Sequence, residues 1–251
     1  MRNAETETPA LDETILKNLR ARLDWNYPSA AATRRKAKSS VTALRREAEE
    51  TDDEAENSFP AAPKSGRRKA ESGNQKLSAA EIGSAHHRFL QHVALENTGN
   101  LAAETERLVM ERYLSAEERA TLDLEALAAF WNSPLGKKII THTAAVRREL
   151  PFTARFSPAQ IAKIIGGKTA GGLESEFVVV QGVADLVVLL PEEIWLVDFK
   201  TDAVSQNELP EKIKTYTPQL QLYAAALEKI FARKVTLRAL HFLAAQKTEA
   251  V

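Results

Sequence analysis

The sequence predicts an α/β fold in which helices flank a central mixed sheet. Residues 181–200 contain two runs rich in β-branched, aliphatic and aromatic residues around a short polar break, which is the pattern of a β-hairpin. Segments with helical spacing and capping signals lie before and after this hairpin. With 251 residues the chain is long enough for one domain of ordinary size with appendages.

The chain divides into three predicted parts. Residues 1–50 are expected to form a helical arm, because Leu11, Ile15, Leu19 and Leu23 follow helical spacing, and this helix must end before Tyr27-Pro28. Residues 51–76 are polar and predict a flexible linker. Residues 77–251 are expected to form the folded domain.

Helices are expected between the linker and the sheet. Ser78-Ala-Ala-Glu81 is a capping-box signature that opens a helix carrying His86 and His87. Residues 101–145 predict further helices, with a second capping signal at Ser115-Ala-Glu-Glu118.

The first strand is predicted over Val146-Arg-Arg-Glu149-Leu-Pro151-Phe152, ending at the proline. After the hairpin, a loop from Asp202 to Glu208 precedes a helix that extends to about Phe231. Pro218 is expected to kink this helix or restart it, with Thr217 as the N-cap. Val235 to Phe242 predicts the last strand.

The hairpin brings two carboxylates together. Folded about the break at Pro191, Glu192 and Glu193, it pairs Asp185 with Asp198, with an uncertainty of one residue in the register. Two carboxylates in apolar surroundings repel each other and lose hydration, which raises the pKa of one of them by about two units or more. Because a hard divalent cation removes this penalty, the pair predicts a Mg²⁺ site.

Lys200 is expected at the same site. Side chains alternate along a strand, so Asp198 and Lys200 share one face, and Trp195, Val197 and Phe199 share the other. Lys200 could orient a water or stabilise negative charge on a phosphate during hydrolysis. The alternative is that both aspartates only end strands and that Lys200 pairs with one of them at the surface.

Three ordered motifs resemble the PD-(D/E)XK nuclease domain of the RecB and AddA type. They are Gly182-Val-Ala-Asp185, Asp198-Phe-Lys200-Thr-Asp202 and Tyr216-x-x-Gln219-x-x-x-Tyr223. The core motif alone is short and degenerate, whereas the ordered set is far more specific. The resemblance implies a restriction-endonuclease-like fold and a metal-dependent deoxyribonuclease. It further implies an exonuclease that acts with a helicase in double-strand-break repair and recombination.

The resemblance also implies the metal ligands. Its Gly-x-x-x-His pattern matches Gly83 and His87, so His87 is expected as a third ligand beside Asp185 and Asp198. The backbone carbonyl of Phe199 is expected as a further ligand. A histidine ligand favours tolerance of Mn²⁺ in place of Mg²⁺, because imidazole is softer than carboxylate.

Other residues are expected beside the metal. Gln219 and Tyr223 lie one turn apart on a helix, and the resemblance implies contact with DNA, whereas the alternative role is to cap the edge of the sheet. Tyr216 and Gly83 are expected to support the site. Glu149 resembles the family's Glu-x-Pro-Phe element.

Glu149 therefore has two possible roles. It could support the site, or it could equally be a surface partner for Arg147 or Arg148.

Composition limits the cofactors and partners. The absence of cysteine excludes disulfides and a cysteine-ligated iron–sulfur cluster. The 34 basic and 34 acidic residues balance, so DNA binding requires a local basic patch. The chain has no long apolar run and no signal-peptide core, which predicts a soluble, cytoplasmic protein without a membrane partner. Expected partners are DNA, through single-stranded ends, and a helicase subunit or domain.

Two other functions remain open at this point. One is a catalytically silent DNA-binding or scaffolding module, and the other is a metal-dependent hydrolase of a different phosphate ester. Positive charge from Arg147, Arg148, Lys212 and Lys214 along one groove leading to the acids would favour a nuclease, and a groove too narrow for duplex would favour single-stranded DNA.

Overall fold

The computed structural model describes residues 13–25, 38–40, 77–165 and 177–251. The predicted linker at residues 51–76 lies outside the described residues, and so do Leu11, Tyr27 and Pro28 of the predicted arm. The division into arm, linker and folded domain stays a prediction.

A mixed sheet of six strands lies at the centre of the described chain, as predicted. The strands are β1 (Lys38–Ser40), β2 (Val146–Phe156), β3 (Val178–Leu189), β4 (Glu193–Lys200), β5 (Lys234–Phe242) and β6 (Lys247–Ala250). Strands β3 and β4 are the predicted hairpin.

Strand β3 organises the sheet. Along one edge it pairs antiparallel with β2 over almost its whole length. Its opposite edge is shared, because β1 pairs there in parallel at Val179 to Gln181 and β4 pairs antiparallel from Leu186 onward. The sheet continues through β5, parallel to β4, to β6, antiparallel to β5. A fork therefore exists on β3 between the segments paired with β1 and with β4.

Helices surround this sheet in the described residues. They are α1 (Glu13–Leu23), α2 (Ala79–His92), α3 (Leu101–Met110), α4 (Ala116–Thr121), α5 (Leu124–Asn132), α6 (Pro134–Ile140), α7 (Pro158–Ile165) and α8 (Leu209–Phe231). Both predicted capping boxes, at Ser78 and Ser115, are present. None of the helices described combines the length and apolar character that a membrane span requires.

The sheet has an apolar cluster on each face. On β4, Ile194 and Leu196 belong to one cluster, which α7 and α8 cover. Trp195, Val197 and Phe199 belong to the other, which α2, α3, α5 and α6 cover. This is the alternation predicted for β4, and it makes a three-layer arrangement of helices, sheet and helices.

Two predictions about proline were wrong. Strand β2 does not end at Pro151 but continues to Phe156. Among the described strands only β3 pairs with β2, which is therefore an edge strand of that sheet, where a proline without an N–H is tolerated. Helix α8 is not restarted at Pro218, and the alternative of a kink there stays a prediction. Thr217 does not act as an N-cap, because its hydroxyl donates to the carbonyl of Ile213 at 2.7 Å within one continuous helix.

Two strands were not predicted. Strand β1 lies within the segment interpreted as a helical arm, so β2 is not the first strand of the sheet. Strand β6 follows β5, which is therefore not the last strand. Both are three or four residues long and carry no strong alternation, so their pairing depends on the partner strand.

We expect Gly182→Ala to destabilise the fold. A Cβ on Gly182 would lie 2.5 Å from Cζ of Phe152 and 3.1 Å from Cε1 of Tyr223, so a buried ring must shift. Overpacking of this kind costs about 1–3 kcal/mol. Urea denaturation measures the change, and Gly99→Ala is the control because no atom lies within 4 Å of its Cβ position. Equal stability of the two variants would contradict the packing described here.

Candidate active site

Asp185 and Asp198 meet where the hairpin strands separate. The β3–β4 register, in which Leu186 faces Val197, places Asp185 opposite Asp198 when it is continued by one residue. This is the register predicted from the sequence. Asp185 does not continue the backbone ladder: its Oδ2 accepts a hydrogen bond from the Phe199 N–H at 2.8 Å. The carboxylate therefore takes the place of a backbone partner at the fork.

Glu149 lies across β3 from β4. It falls between the pairs Arg148 with Leu186 and Leu150 with Ala184, which puts it opposite Asp185. Its φ of 47° is in the left-handed region, which costs a non-glycine residue about 1–3 kcal/mol.

The positive φ of Glu149 interrupts the regular alternation of side chains along β2. Leu150 packs against the cluster under α8, whereas Arg148, two residues earlier, contacts the backbone of α2 on the opposite face. A regular strand would put both side chains on one face. The Glu149 carboxylate consequently reaches His87, with Oε1 lying 3.8 Å from Nδ1. Neither Arg147 nor Arg148 is its partner, so the surface-pair alternative for Glu149 was wrong.

Helix α2 supplies the imidazole. Nδ1 of His87 lies 3.6 Å from Oδ2 of Asp185. One potential ligand atom from each of His87, Glu149 and Asp185 lies within 4.8 Å of the other two. Three different elements therefore contribute to one group of ligand atoms, which we call the ligand cluster.

Gly83 allows α2 to approach the sheet. A Cβ at this position would lie 2.8 Å from Oγ1 of Thr201, the residue after β4. Gly83 was expected to support the site, and the residue that its missing Cβ allows to lie close is Thr201. The glycine stands one helical turn before His87 and so helps to set the distance between that imidazole and the strands.

Asp198 and Lys200 form a buried ion pair at the end of β4. Nζ of Lys200 lies 2.8 Å from Oδ2 of Asp198, and their side chains are 15% and 3% exposed. The surface pairing considered as an alternative is therefore not what the structure has. Although the two atoms are close, no donor within the described part of the chain is aligned for a hydrogen bond to that oxygen. Asp198 lies outside the ligand cluster as the cluster stands, although its charge acts on His87 and Asp185.

Three residues of α8 were expected at the site, and Tyr216 is the one that contacts Lys200. Nζ of Lys200 lies 4.2 Å from the centre of the Tyr216 ring, and the Tyr216 hydroxyl donates to Asp202. Nε2 of Gln219 donates to the Tyr223 hydroxyl at 3.1 Å. Burial and the charges of Asp198 and Asp185 raise the pKa of Tyr223, so this phenol stays protonated at neutral pH.

The electrostatics of the cluster show an excess of negative charge. Burial, together with Asp198 and Glu149, raises the pKa of Asp185 despite the opposing effect of His87 and Lys200. Burial alone would lower the pKa of His87, but Asp185, Glu149 and Asp198 outweigh it and raise this pKa to about 9. A protonated imidazole thus partly compensates the acids when no other cation is present.

These donors fit a hard divalent cation. Two carboxylates and an imidazole in one small region match the ligand preferences of Mg²⁺ and Mn²⁺. The raised pKa of His87 points the same way, because it results from the negative charges of Asp185, Glu149 and Asp198, which a bound cation would neutralise. The sequence marked Glu149 only through its resemblance to a family element, and nothing in the residues themselves foretold its positive φ.

His86 has a different role from its neighbour. It is buried, and its Nε2 accepts a hydrogen bond from the Asp123 N–H at 2.9 Å. Nδ1 must then carry the proton that is donated to the carbonyl of Ile82 at 2.8 Å. His86 therefore joins α2 to the start of α5 and does not take part in the ligand cluster.

Four basic residues were considered as the lining of a positively charged groove, and two of them donate hydrogen bonds to backbone carbonyls. Arg147 donates to the carbonyls of Ala144 and Val146. Arg148 donates to carbonyls at the end of α2. Lys212 and Lys214 are exposed near the start of α8.

The sequence of this chain is similar to those of known proteins over most of its length. Residues 58–249 match the family model of the PD-(D/E)XK nuclease superfamily. The chain is 33% identical over 245 residues to an ATP-dependent helicase/nuclease subunit from Moorella thermoacetica, covering 92% of this chain and 17% of that protein. The protein of the same name in Carboxydothermus hydrogenoformans is 33% identical over 252 residues, covering 96% of this chain and 20% of that protein.

A third protein of that name, from Bacillus velezensis, is 31% identical over 235 residues, which cover 88% of this chain and 18% of that protein. The chain thus spans about a fifth of the length of the curated relatives it matches.

We expect substitution of His86 to affect stability and substitution of His87 to affect metal binding. His86→Gln loses two hydrogen bonds and should lower the free energy of unfolding by about 1–3 kcal/mol, with little effect on Mn²⁺ affinity. His87→Gln should weaken Mn²⁺ binding by about tenfold or more and change stability little. Denaturation and titration calorimetry measure the two quantities. A reversed pattern would mean that His86 is the ligand.

We expect metal affinity to rise with pH. With a pKa of about 9, His87 is protonated at neutral pH, and a metal ion must displace that proton before the imidazole can bind it. Between about pH 7.5 and 9 the affinity should therefore increase by up to about tenfold per pH unit, and His87→Gln should flatten this dependence. Calorimetric titration with Mn²⁺ checks the slope, and an equal slope in both proteins would contradict the role given to His87.

Proposed function

Because the chain belongs to the PD-(D/E)XK nuclease superfamily, we propose that it hydrolyses DNA phosphodiester bonds with the help of a divalent metal ion. The observation that carries the proposal is the convergence of His87, Glu149 and Asp185 beside the buried pair of Asp198 and Lys200. Clustered charged groups with a strongly raised pKa, as at His87, mark a candidate functional site.

The residues have distinct roles in the proposed site. His87, Asp185 and Asp198 hold the metal ion, together with the backbone carbonyl of Phe199, and Glu149 joins or supports this set. A bound divalent ion supplies Lewis acidity and lowers the pKa of water. Mg²⁺ is the proposed ion, with Mn²⁺ as a substitute that the imidazole tolerates.

Lys200 acts on the phosphate and the attacking water. The ion pair with Asp198 and the ring of Tyr216 hold its ammonium group in place, so little order must be gained during the reaction. A fixed positive charge at this point stabilises the negative charge that develops on the phosphoryl oxygens. Orientation of the attacking water is its second proposed role.

Tyr223 and Gln219 are proposed to contact the DNA strand. The Tyr223 hydroxyl accepts from Gln219, which leaves its own proton to be donated elsewhere, and the raised pKa keeps that proton in place. A phosphate oxygen is the acceptor that this donor would take. Tyr216 supports the site through its contacts with Lys200 and Asp202.

The proposed setting is DNA repair beside a helicase. The relatives are named as helicase/nuclease subunits, and this chain matches about a fifth of their length. We therefore propose an exonuclease that receives single-stranded ends from a helicase domain or subunit during repair of double-strand breaks and recombination. In the bacteria that carry these relatives, chromosomal DNA is in the cytoplasm, and the proposal places the activity there.

We expect each of two substitutions at β4 to slow cleavage strongly. Asp198→Asn removes a metal ligand and Lys200→Ala removes the fixed positive charge, so each should lower the rate by about 10²–10³-fold. Lys137→Ala, an exposed lysine on α6, is the matched control and should retain full activity. End-labelled single- and double-stranded DNA with Mg²⁺, Mn²⁺ or EDTA gives the rates and the order of products.

The outcomes separate the possible functions. Cleavage that needs metal and is lost in both variants supports the nuclease. A folded protein that binds DNA but does not cut it with either metal would instead be a silent DNA-binding module.

A further inference from the structure

A cavity lies near the ligand cluster. Its volume is about 320 Å³, at the lower end of the range typical of ligand sites. It is bounded by the end of α2, by α3 and by the beginning of β2, and its lining includes His92, Arg107, Thr143 and Arg148. We call it the Arg148 cavity. No residue of the ligand cluster lines it.

Arg148 brings a positive charge without an ion-pair partner to this cavity. Its guanidinium donates to two backbone carbonyls of the α2 end, but no ion pair within residues 77–165 and 177–251 involves it. The neighbouring Arg107 differs, because Glu104 and Glu111 both pair with it. Glu96, an exposed residue of the lining, attracts Arg148 only at longer range. An anion entering the cavity would therefore find its counter-charge at Arg148.

An aromatic stack adjoins the same cavity. The rings of His92 and Tyr113 are parallel within 21°, and their centres are 4.0 Å apart. Burial lowers the pKa of His92, and the positive charges of Arg148, Arg88 and Arg107 lower it further. The imidazole is therefore neutral in the stack. Tyr113 is 43% exposed. A flat ring entering the cavity could extend this stack.

Helix α2 and strand β2 each contribute residues to both the cavity and the ligand cluster. His87 and His92 lie five residues apart on α2, about 7.5 Å along the helix axis. On β2, Arg148 directly precedes Glu149.

We propose that the Arg148 cavity binds one nucleotide of single-stranded DNA beside the phosphate that is cleaved. Arg148 takes the phosphate of this nucleotide, and the base extends the stack of His92 and Tyr113. A paired base in a duplex cannot enter the stack, so the cavity gives the site a preference for single strands. This inference rests on the proposed nuclease function and identifies a part of its substrate site.

The charge of the cavity is tested with Thr143→Glu. Thr143 is exposed and lines the cavity, so the new carboxylate would supply Arg148 with an internal anion. Affinity for a short fluorescein-labelled oligothymidine is measured by anisotropy in EDTA at several salt concentrations. Binding should weaken about fivefold or more, and the slope of log affinity against log salt should fall by about one unit. Ala159→Glu, an exposed position on α7 across the sheet, is the control and should match the native protein.

The stack is tested with Tyr113→Ala, with Met110→Ala as control. Both residues are exposed and neither lines the cavity, but Tyr113 stacks on His92, which does line it, and Met110 does not. Tyr113→Ala should weaken binding of the oligothymidine about fivefold or more, whereas binding of a hairpin duplex of the same length should stay unchanged. Met110→Ala should leave both affinities unchanged.

The results distinguish this inference from the function on which it rests. Native affinity in both Thr143→Glu and Tyr113→Ala, or equal losses for single strand and duplex, would overturn the nucleotide site even if the protein cleaves DNA. The expected losses in a protein that never cleaves DNA would keep the nucleotide site and remove the nuclease function. A native protein without affinity for the oligothymidine would overturn the nucleotide site as well.

Discussion

The site depends on one hydrogen bond, from the Phe199 N–H to the carboxylate of Asp185. At this point β3 changes its partner from β1 to β4, so a backbone donor of β4 would otherwise lack its strand neighbour. The carboxylate meets that need, and the two strands can then diverge without leaving an unsatisfied N–H. Beside this point His87 approaches Asp185 and Glu149, and Lys200 pairs with Asp198.

Packing around the site offsets the free-energy cost of bringing these groups together. Glu149 adopts a left-handed backbone conformation opposite Asp185, and Asp198 and Lys200 are paired in a nearly solvent-free position. Each feature is unfavourable alone, and each is held by the packed sheet on both sides of it. Strain and buried charge in one place are typical of a site whose geometry is set before the substrate arrives.

Much of this arrangement could be predicted from local pattern. The register that joins Asp185 to Asp198 follows from the hairpin break, and the alternation on β4 places Lys200 and Phe199 on opposite faces of the sheet. Tertiary contacts decided the remainder. The positive φ of Glu149 depends on its place opposite Asp185 on the neighbouring strand. In the structure, His86 bonds to the backbone of Ile82 and Asp123, whereas His87 approaches Asp185 and Glu149. Pro151 is tolerated because of the strand's position at the edge, which no local pattern reveals.

The most direct test of this account is a crystal structure of the chain saturated with Mn²⁺, with anomalous data that locate the metal. The account predicts a strong peak at the fork between β3 and β4, bonded to carboxylate oxygens of Asp185 and Asp198 and to the imidazole of His87. A folded, saturated protein with no peak there, or with a peak that Asp185 does not contact, would contradict the claim that this fork is a metal-dependent active site.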